Sequence, residues 1–161
     1  KEFERKLSEY MQAEYVISVN SRTAALHLEL AANGIGAGDK FIAPTYTFVA
    51  SVEVGEYLGS KPILVDSDPD TFNLNLNQVE RILSKDKARN IKAIIPVHFG
   101  GQAVDINRIN ELGEKYDVFI LMLPIQLKQS QIQEKWVTPI MQLHFPFTPI
   151  KISPQVGKGV I

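Results

Sequence analysis

Along roughly the first three quarters of the chain, short apolar runs alternate with longer amphipathic stretches, and this pattern predicts strands and helices in turn. Phe3, Leu7, Tyr10 and Met11 recur at helical spacing and predict a helix over residues 2–12. Tyr15 to Val19 is a short β-branched run, hence a strand. Leu26-His27-Leu28-Glu29-Leu30 alternates like a strand, but flanking alanines and the Asn33-Gly34 stop decide for a helix, with Asn20-Ser21 offering capping oxygens. Beyond a turn at Gly38-Asp39, strands are predicted at Phe41–Ala43, Ile63–Val65, Ile91–Val97 and Val118–Leu121. Helices are predicted over 47–58, around Gln78–Leu83 and over Ile106–Tyr116.

Strands that are continuously apolar and separated by helices imply an α/β fold, three-layer αβα, with a mostly parallel sheet covered on both faces. Ligands of such sheets sit at the carboxyl ends of the strands. That edge carries Asn20-Ser21-Arg22-Thr23, Pro44 to Phe48, Asp66 and Val97-His98.

Charge and composition narrow the function. The 17 basic and 18 acidic side chains leave a net charge of −1, so nothing suggests a nucleic-acid surface. The absence of cysteine removes disulfides and thiolate metal sites and suits a cytoplasmic protein. No apolar run approaches the roughly 18 residues of a membrane helix. The averages conceal a join near Leu121. Residues 122–156 contain no Gly, Ala or Asp, yet hold six of the nine Gln and five of the nine Pro.

Several motifs have ordinary readings. Gly34-Ile35-Gly36-Ala37-Gly38 has the wrong spacing for a dinucleotide loop and leads from helix to strand, so it reads as a turn. Asp66-Ser67-Asp68-Pro69-Asp70 begins like a calcium loop, but Thr71 and Asn77 stand where glycine and glutamate are required. The three histidines are too scattered for a metal cluster; His27 reads as a helix-face residue, and His98, at a strand's carboxyl end, as a candidate site residue. Ser21-Arg22-Thr23 at a strand-to-helix turn is the better clue, because helix N-terminal N–H groups and two hydroxyls make a phosphate seat. Phe48 reads as core unless a flat cofactor lies beside it.

The chain resembles the DegT-type sugar aminotransferases, pyridoxal-phosphate enzymes of fold type I. The segments that carry the resemblance are Asn20 to Leu28, Ile42 to Ala50, Lys61 to Asp66, Asp68 to Leu74, and Ile94 to His98 with Gly101-Gln102. Arg22 departs from the pattern, since the family usually has glycine just before the phosphate-binding threonine. The resemblance implies that Ser21, Arg22 and Thr23 seat the cofactor phosphate and that Phe48 stacks on its ring. It also implies a carboxylate on the pyridinium nitrogen and a lysine that holds the cofactor and moves the proton. An amino-acid donor, a nucleotide-sugar acceptor and a homodimer are implied as well. A branch of the family dehydrates sugars, with histidine in place of the lysine.

The family supplies the carboxylate in an Asp-Ala-Ala-His run and the lysine in a Ser-Phe-Tyr-x-x-Lys run, and neither is present as written. Codons displaced by one base permit both. Met122 to Ile125 permits Asp-Ala-Ala-His, Phe145 to Lys151 permits Phe-Ser-Phe-Tyr-Ala-Asn-Lys, and Ile152 to Val156 permits Asn-Ile-Thr-Thr-Gly. In-frame resemblance resumes over Gly157–Ile161. The expected organisation is therefore residues 1–121 as part of the cofactor-binding large domain, 122–156 as a frameshifted segment of it, 157–161 as an in-frame remnant, and no C-terminal small domain. Lys151 occupies the catalytic lysine's position by number alone, on a backbone whose prolines at 146, 149 and 154 oppose regular pairing. The expected product is a lineage aminotransferase that is inactive as written, against the alternative of a non-catalytic, pseudogene-like fragment.

Overall fold

The computed structural model of the chain describes residues 2–11, 16–121 and 148–151. Its elements run α1 (Glu2–Met11), β1 (Val16–Val19), α2 (Arg22–Ala32), β2 (Lys40–Pro44), α3 (Ala50–Tyr57), β3 (Lys61–Val65), α4 (Leu76–Lys85), β4 (Ile91–Ile94), α5 (Ile106–Tyr116), β5 (Phe119–Ile120) and β6 (Thr148–Lys151). A short 3-10 turn, Phe99–Gly101, lies between β4 and α5. The segment around His27 is helical, as its alanines and its Gly34 stop predict.

Four strands form a parallel sheet in the order β3-β2-β4-β5. The pleat sends alternate side chains of β2 to opposite faces. Phe41 and Ala43 join Leu26, Leu30 and Val54 beneath α2 and α3. Ile42 joins Val79, Leu83, Ile109 and Leu112 beneath α4 and α5. Those two apolar layers with the sheet between them are the three-layer arrangement, and they explain why β2 and β4 are mostly apolar and do not alternate. β4 is shorter than predicted: the Ile95 N–H still donates to the Ile42 carbonyl, after which the chain turns out of the sheet toward His98.

Local chemistry fixes the helix ends. Asn75 and Asp105 cap α4 and α5 with side-chain oxygens, and Asp117 closes α5 in the left-handed conformation. Gly34 and Gly38 both take positive φ, so the glycine-rich stretch is the turn between α2 and β2. Gly55 allows α3 to lie directly on the Phe41 ring, because a Cβ there would come within 2.2 Å of Phe41 Cε1. That contact sets the height of α3 above the sheet, and with it the position of the loop that precedes the helix.

β1 pairs with β6 in a separate antiparallel ladder, with Val19 opposite Thr148 and Val16 opposite Lys151. Pro149 sits within this two-stranded ladder, opposite Ser18. A two-stranded ladder has only edge strands, where proline is tolerated. Glu4 of α1 accepts from the backbone N–H and hydroxyl of Ser18, tying the first helix to β1.

Candidate active site

The site grows from three loops at the carboxyl edge of the strands and from the start of α2. Ser21 is the N-cap of α2: its hydroxyl accepts from the Ala24 N–H at 3.1 Å and its carbonyl from the Ala25 N–H. The N–H groups of Arg22 and Thr23 precede the first intrahelical donor, as at the start of any helix. Both side chains are exposed and line a cleft of about 420 Å³. The volume lies in the range of small-molecule sites.

The second loop leaves β2 at Pro44. The Thr45 N–H donates to the Val65 carbonyl, which holds the loop on the sheet edge. Thr47 Oγ1 and Ser51 Oγ are hydrogen-bonded at 2.8 Å, pinning the loop to the first turn of α3. Between these anchors Phe48 projects outward and is 75% exposed, lining the same cleft as Arg22, Thr23, Tyr46 and Thr47. The ordinary expectation for Phe48, burial in the core, is therefore wrong. β2 ends at Pro44, and the chain turns up at the edge before α3 begins.

The third loop follows β4. His98, a candidate site residue by sequence, is only 2% exposed. Its Nδ1 accepts from the Val104 N–H at 3.2 Å, and burial lowers its pKa below the ordinary imidazole value. This neutral ring supports the loop from beneath. Asn73, which no motif marks as a site residue, is 4% exposed and clamps the same loop at both ends. Its Oδ1 accepts from the Phe99 N–H at 2.9 Å, and its Nδ2 donates to the Gln102 and Ala103 carbonyls at 3.2 Å each. The signal in the sequence was an amide-bearing residue between Phe72 and Leu74, directly after an acidic turn.

That turn is the segment with the partial calcium pattern. The Asp68 carboxylate accepts from the N–H groups of Asp70 and Thr71 and from the Thr71 hydroxyl, and the Thr71 N–H in particular holds its pKa below the ordinary carboxylate value. Those bonds account for Asp68 as a turn residue.

The structure thus brings Arg22, Thr23 and Phe48 to one cleft, with Ser21 capping α2, and places the Lys151 backbone in β6. Ser21, Arg22 and Thr23 follow the carboxyl end of β1 at Val19, whereas Lys151 pairs with Val16 at the other end. Three residues of extended strand separate those ends by about 10 Å. Met122, Ile125 and Pro146, the positions of the carboxylate, histidine and serine in the displaced frame, lie outside the described residues.

The sequence profile of the DegT/DnrJ/EryC1/StrS aminotransferase family matches residues 1–135. The chain belongs to this family. It is 39% identical over 120 residues to the GDP-perosamine synthase of Caulobacter vibrioides, covering 74% of this chain and 31% of that protein. It is 35% identical over 120 residues to a UDP-4-amino-4-deoxy-L-arabinose–oxoglutarate aminotransferase of Shewanella sediminis, covering 74% and 30%. Among solved structures, a family aminotransferase from Brucella abortus superposes with a TM-score of 0.67 at 41% identity, over 75% of this chain and 33% of the other. NtdA from Bacillus subtilis, solved with bound cofactor PMP, gives a TM-score of 0.67 at 31% identity, over 75% and 27%. The chain therefore spans about a third of the length of these relatives. Related structures solved in a PLP form or with PMP bound make pyridoxal phosphate the cofactor of the family. The residues present fit the non-covalent part of such a group: a helix N-terminus with Thr23 and a cation at Arg22 for the phosphate, and an outward aromatic face at Phe48 for the ring. No described helix is long and apolar enough to cross a membrane.

Proposed function

We propose that the chain stems from a pyridoxal-phosphate-dependent transaminase that moves an amino group, with glutamate as donor, onto a nucleotide-linked keto-sugar used in cell-surface polysaccharide synthesis. As written, it keeps the cofactor's seat but not its chemistry. The observation that carries this reading is the cleft lined by Arg22, Thr23 and Phe48, supported by a backbone register that sets Lys151 opposite Val16 and not at the Val19 end of β1. When bound, the cofactor supplies an electron sink for the substrate carbon. Thr23 and the α2 N-terminus would hold its phosphate, Arg22 would neutralise it, and Phe48 would shield one ring face from water. Proton movement requires a lysine close to the reacting atom, and the register of β6 sets the Lys151 backbone opposite Val16, at the end of β1 away from Thr23.

Supporting the lineage are the names of the relatives, which are sugar-nucleotide aminotransferases. Supporting the loss of chemistry is the compositional break at residues 122–156, which a one-base deletion near Leu121 and an insertion near Val156 would produce. Exposed Phe48 and Val49 beside the cleft support a homodimer in which a second subunit covers this edge. The cysteine-free composition supports a cytoplasmic setting.

Calorimetric titration with pyridoxamine phosphate, which needs no covalent lysine, tests the seat. Binding is expected, and Thr23→Val should weaken it by about tenfold, the loss of one charge-assisted hydrogen bond. Undetectable binding would refute the seat. Resequencing the gene across codons 121–157 tests the displaced frame, and an intact single frame encoding the tail would refute it.

A further inference from the structure

We propose that the amino edge of the sheet, at the end opposite the cofactor cleft, binds a phosphate group through Arg89 and Lys115. Arg89 lies in the turn from α4 into β4, and Lys115 in the last turn of α5. Both line a pocket of about 70 Å³, together with Tyr116 and the buried side chains of Leu83, Ile91 and Val118. That volume is well below the roughly 300–1,000 Å³ of sites for drug-sized ligands, so it suits a group of a few heavy atoms.

Arg89 is held there at a cost. Its φ is 51°, in the left-handed region that glycine or asparagine occupies more readily. The turn enforces that conformation. The Arg89 N–H donates to the Asp86 carbonyl at 3.1 Å, and the next carbonyl, that of Asn90, accepts from the Lys40 N–H at 2.7 Å. Arg89 is exposed, and its guanidinium has no hydrogen-bond or ion-pair partner among the described residues. A strained backbone that presents an unpaired guanidinium at a pocket wall points to an anion.

The surrounding charges agree. The Lys115 ammonium sits 2.8 Å from a Glu80 oxygen and 5.1 Å from the centre of the Tyr116 ring, which fixes its position and leaves Arg89 as the principal cation. Lys40 and Lys61 open β2 and β3 opposite one another, with no acidic partner among the described residues. Like charges in that register repel, which an anion at this edge would relieve. Asp39 and Asp86 also lie at this edge, and each accepts a backbone N–H, from Gly36 at 3.0 Å and from Ile91 at 2.8 Å. Asp86 lines the pocket and opposes an anion there, whereas Glu114 and Asp117 are exposed and do not line it. A phosphate fills a guanidinium fork and still has oxygen left for an ammonium, while a carboxylate's two oxygens are used by the fork alone. Inorganic phosphate and a phospholipid headgroup share this chemistry, and neither depends on the aminotransferase reading.

The test is a titration of the isotope-labelled full chain with inorganic phosphate, followed by amide chemical shifts, because these separate the amino edge from the start of α2. Saturable shifts are expected at Arg89, Asn90 and Tyr116, whatever the response at Arg22 and Thr23. Arg89→Gly removes the cation and relieves the backbone, so phosphate should bind this edge about tenfold more weakly with thermal stability kept. Asp86→Asn keeps an acceptor for the Ile91 N–H and removes the opposing charge, so binding should strengthen by about fivefold. Sedimentation with vesicles of phosphatidylglycerol, against vesicles of phosphatidylcholine, then names the source. Binding to the former that is lost in Arg89→Gly supports a headgroup, and phosphate shifts without vesicle binding support the free ion. Shifts confined to Arg22 and Thr23 would overturn the amino-edge site and leave the cofactor seat standing. Amino-edge shifts that persist in Arg89→Gly, or that weaken in Asp86→Asn, would also overturn it.

Discussion

Gly55→Ala opposes two effects of known size. In an ordinary helix the change stabilises by about 1 kcal/mol, because alanine is the better helix former. Here the added Cβ would lie 2.2, 2.5 and 2.9 Å from Cε1, Cζ and Cδ1 of Phe41, where carbon atoms settle at about 3.5–4.0 Å. The Phe41 ring cannot withdraw: it is wholly buried among Leu26, Leu30 and Val54. α3 must therefore rise by roughly an ångström, and overpacking of this kind costs about 1–3 kcal/mol. Three simultaneous overlaps with a ring that has no free side place the cost at the upper end, leaving a net destabilisation of about 2 kcal/mol. Urea unfolding should show a lower midpoint at unchanged slope. In a Phe41→Leu background the overlap shrinks, and the same substitution should become neutral or stabilising. A higher midpoint for Gly55→Ala in the otherwise native chain would refute the packing argument. The displacement would also lift Ala50 and Ser51 at the cleft, so pyridoxamine phosphate binding should fall with stability.

Other expectations concern the site and its supports. Asn73→Ala removes three hydrogen bonds at about 1 kcal/mol each and should lower unfolding free energy by about 2–3 kcal/mol. Hydrogen exchange should show faster exchange of the Phe99 N–H, and unchanged exchange would contradict the clamp. Phe48→Ala should leave stability within about 0.5 kcal/mol, since the ring is exposed, yet weaken pyridoxamine phosphate binding. Burial raises the Glu29 pKa to about 8. A carboxyl with a raised folded-state pKa binds more protons when folded, so its burial favours folding least above that pKa. Unfolding free energy should therefore fall as pH rises from about 4.5 to 8, and Glu29→Gln should flatten the decline and stabilise at pH 8 by about 2 kcal/mol. A slope unchanged in Glu29→Gln would assign the pH dependence elsewhere.

Local patterns revealed most of the fold because they record local physics. Apolar runs at β2 and β4 follow from burial on both faces, and the Ser21, Asn75 and Asp105 caps follow from donors that helices leave unpaired. α2 was ambiguous by periodicity and was settled by alanine content and a glycine stop. Resolution of the site was less complete. Arg22, Thr23 and Phe48, which share the cleft, are legible as residues at the carboxyl ends of strands and through family resemblance. Phe48's exposure is not, because a phenylalanine two residues before a helix looks like a core residue in one dimension. His98 and Asn73 exchanged expected importance for the same reason. Both side chains turn inward, and their roles depend on how loops distant in the chain meet, as in the 26-residue span from Asn73 to Phe99. The tail is legible only as a break in composition, and the register of β1 with β6 adds the backbone position of Lys151 opposite Val16.

The central claim is a cofactor seat without the lysine that makes it catalytic. Borohydride reduction of the chain in the presence of pyridoxal phosphate, followed by peptide mass spectrometry, tests it most directly. The account predicts no stoichiometric adduct on Lys151, while pyridoxamine phosphate still binds through Thr23. A stoichiometric Lys151 adduct that disappears in Thr23→Val would contradict it, because it would place that lysine's amine in the same cleft as the phosphate seat.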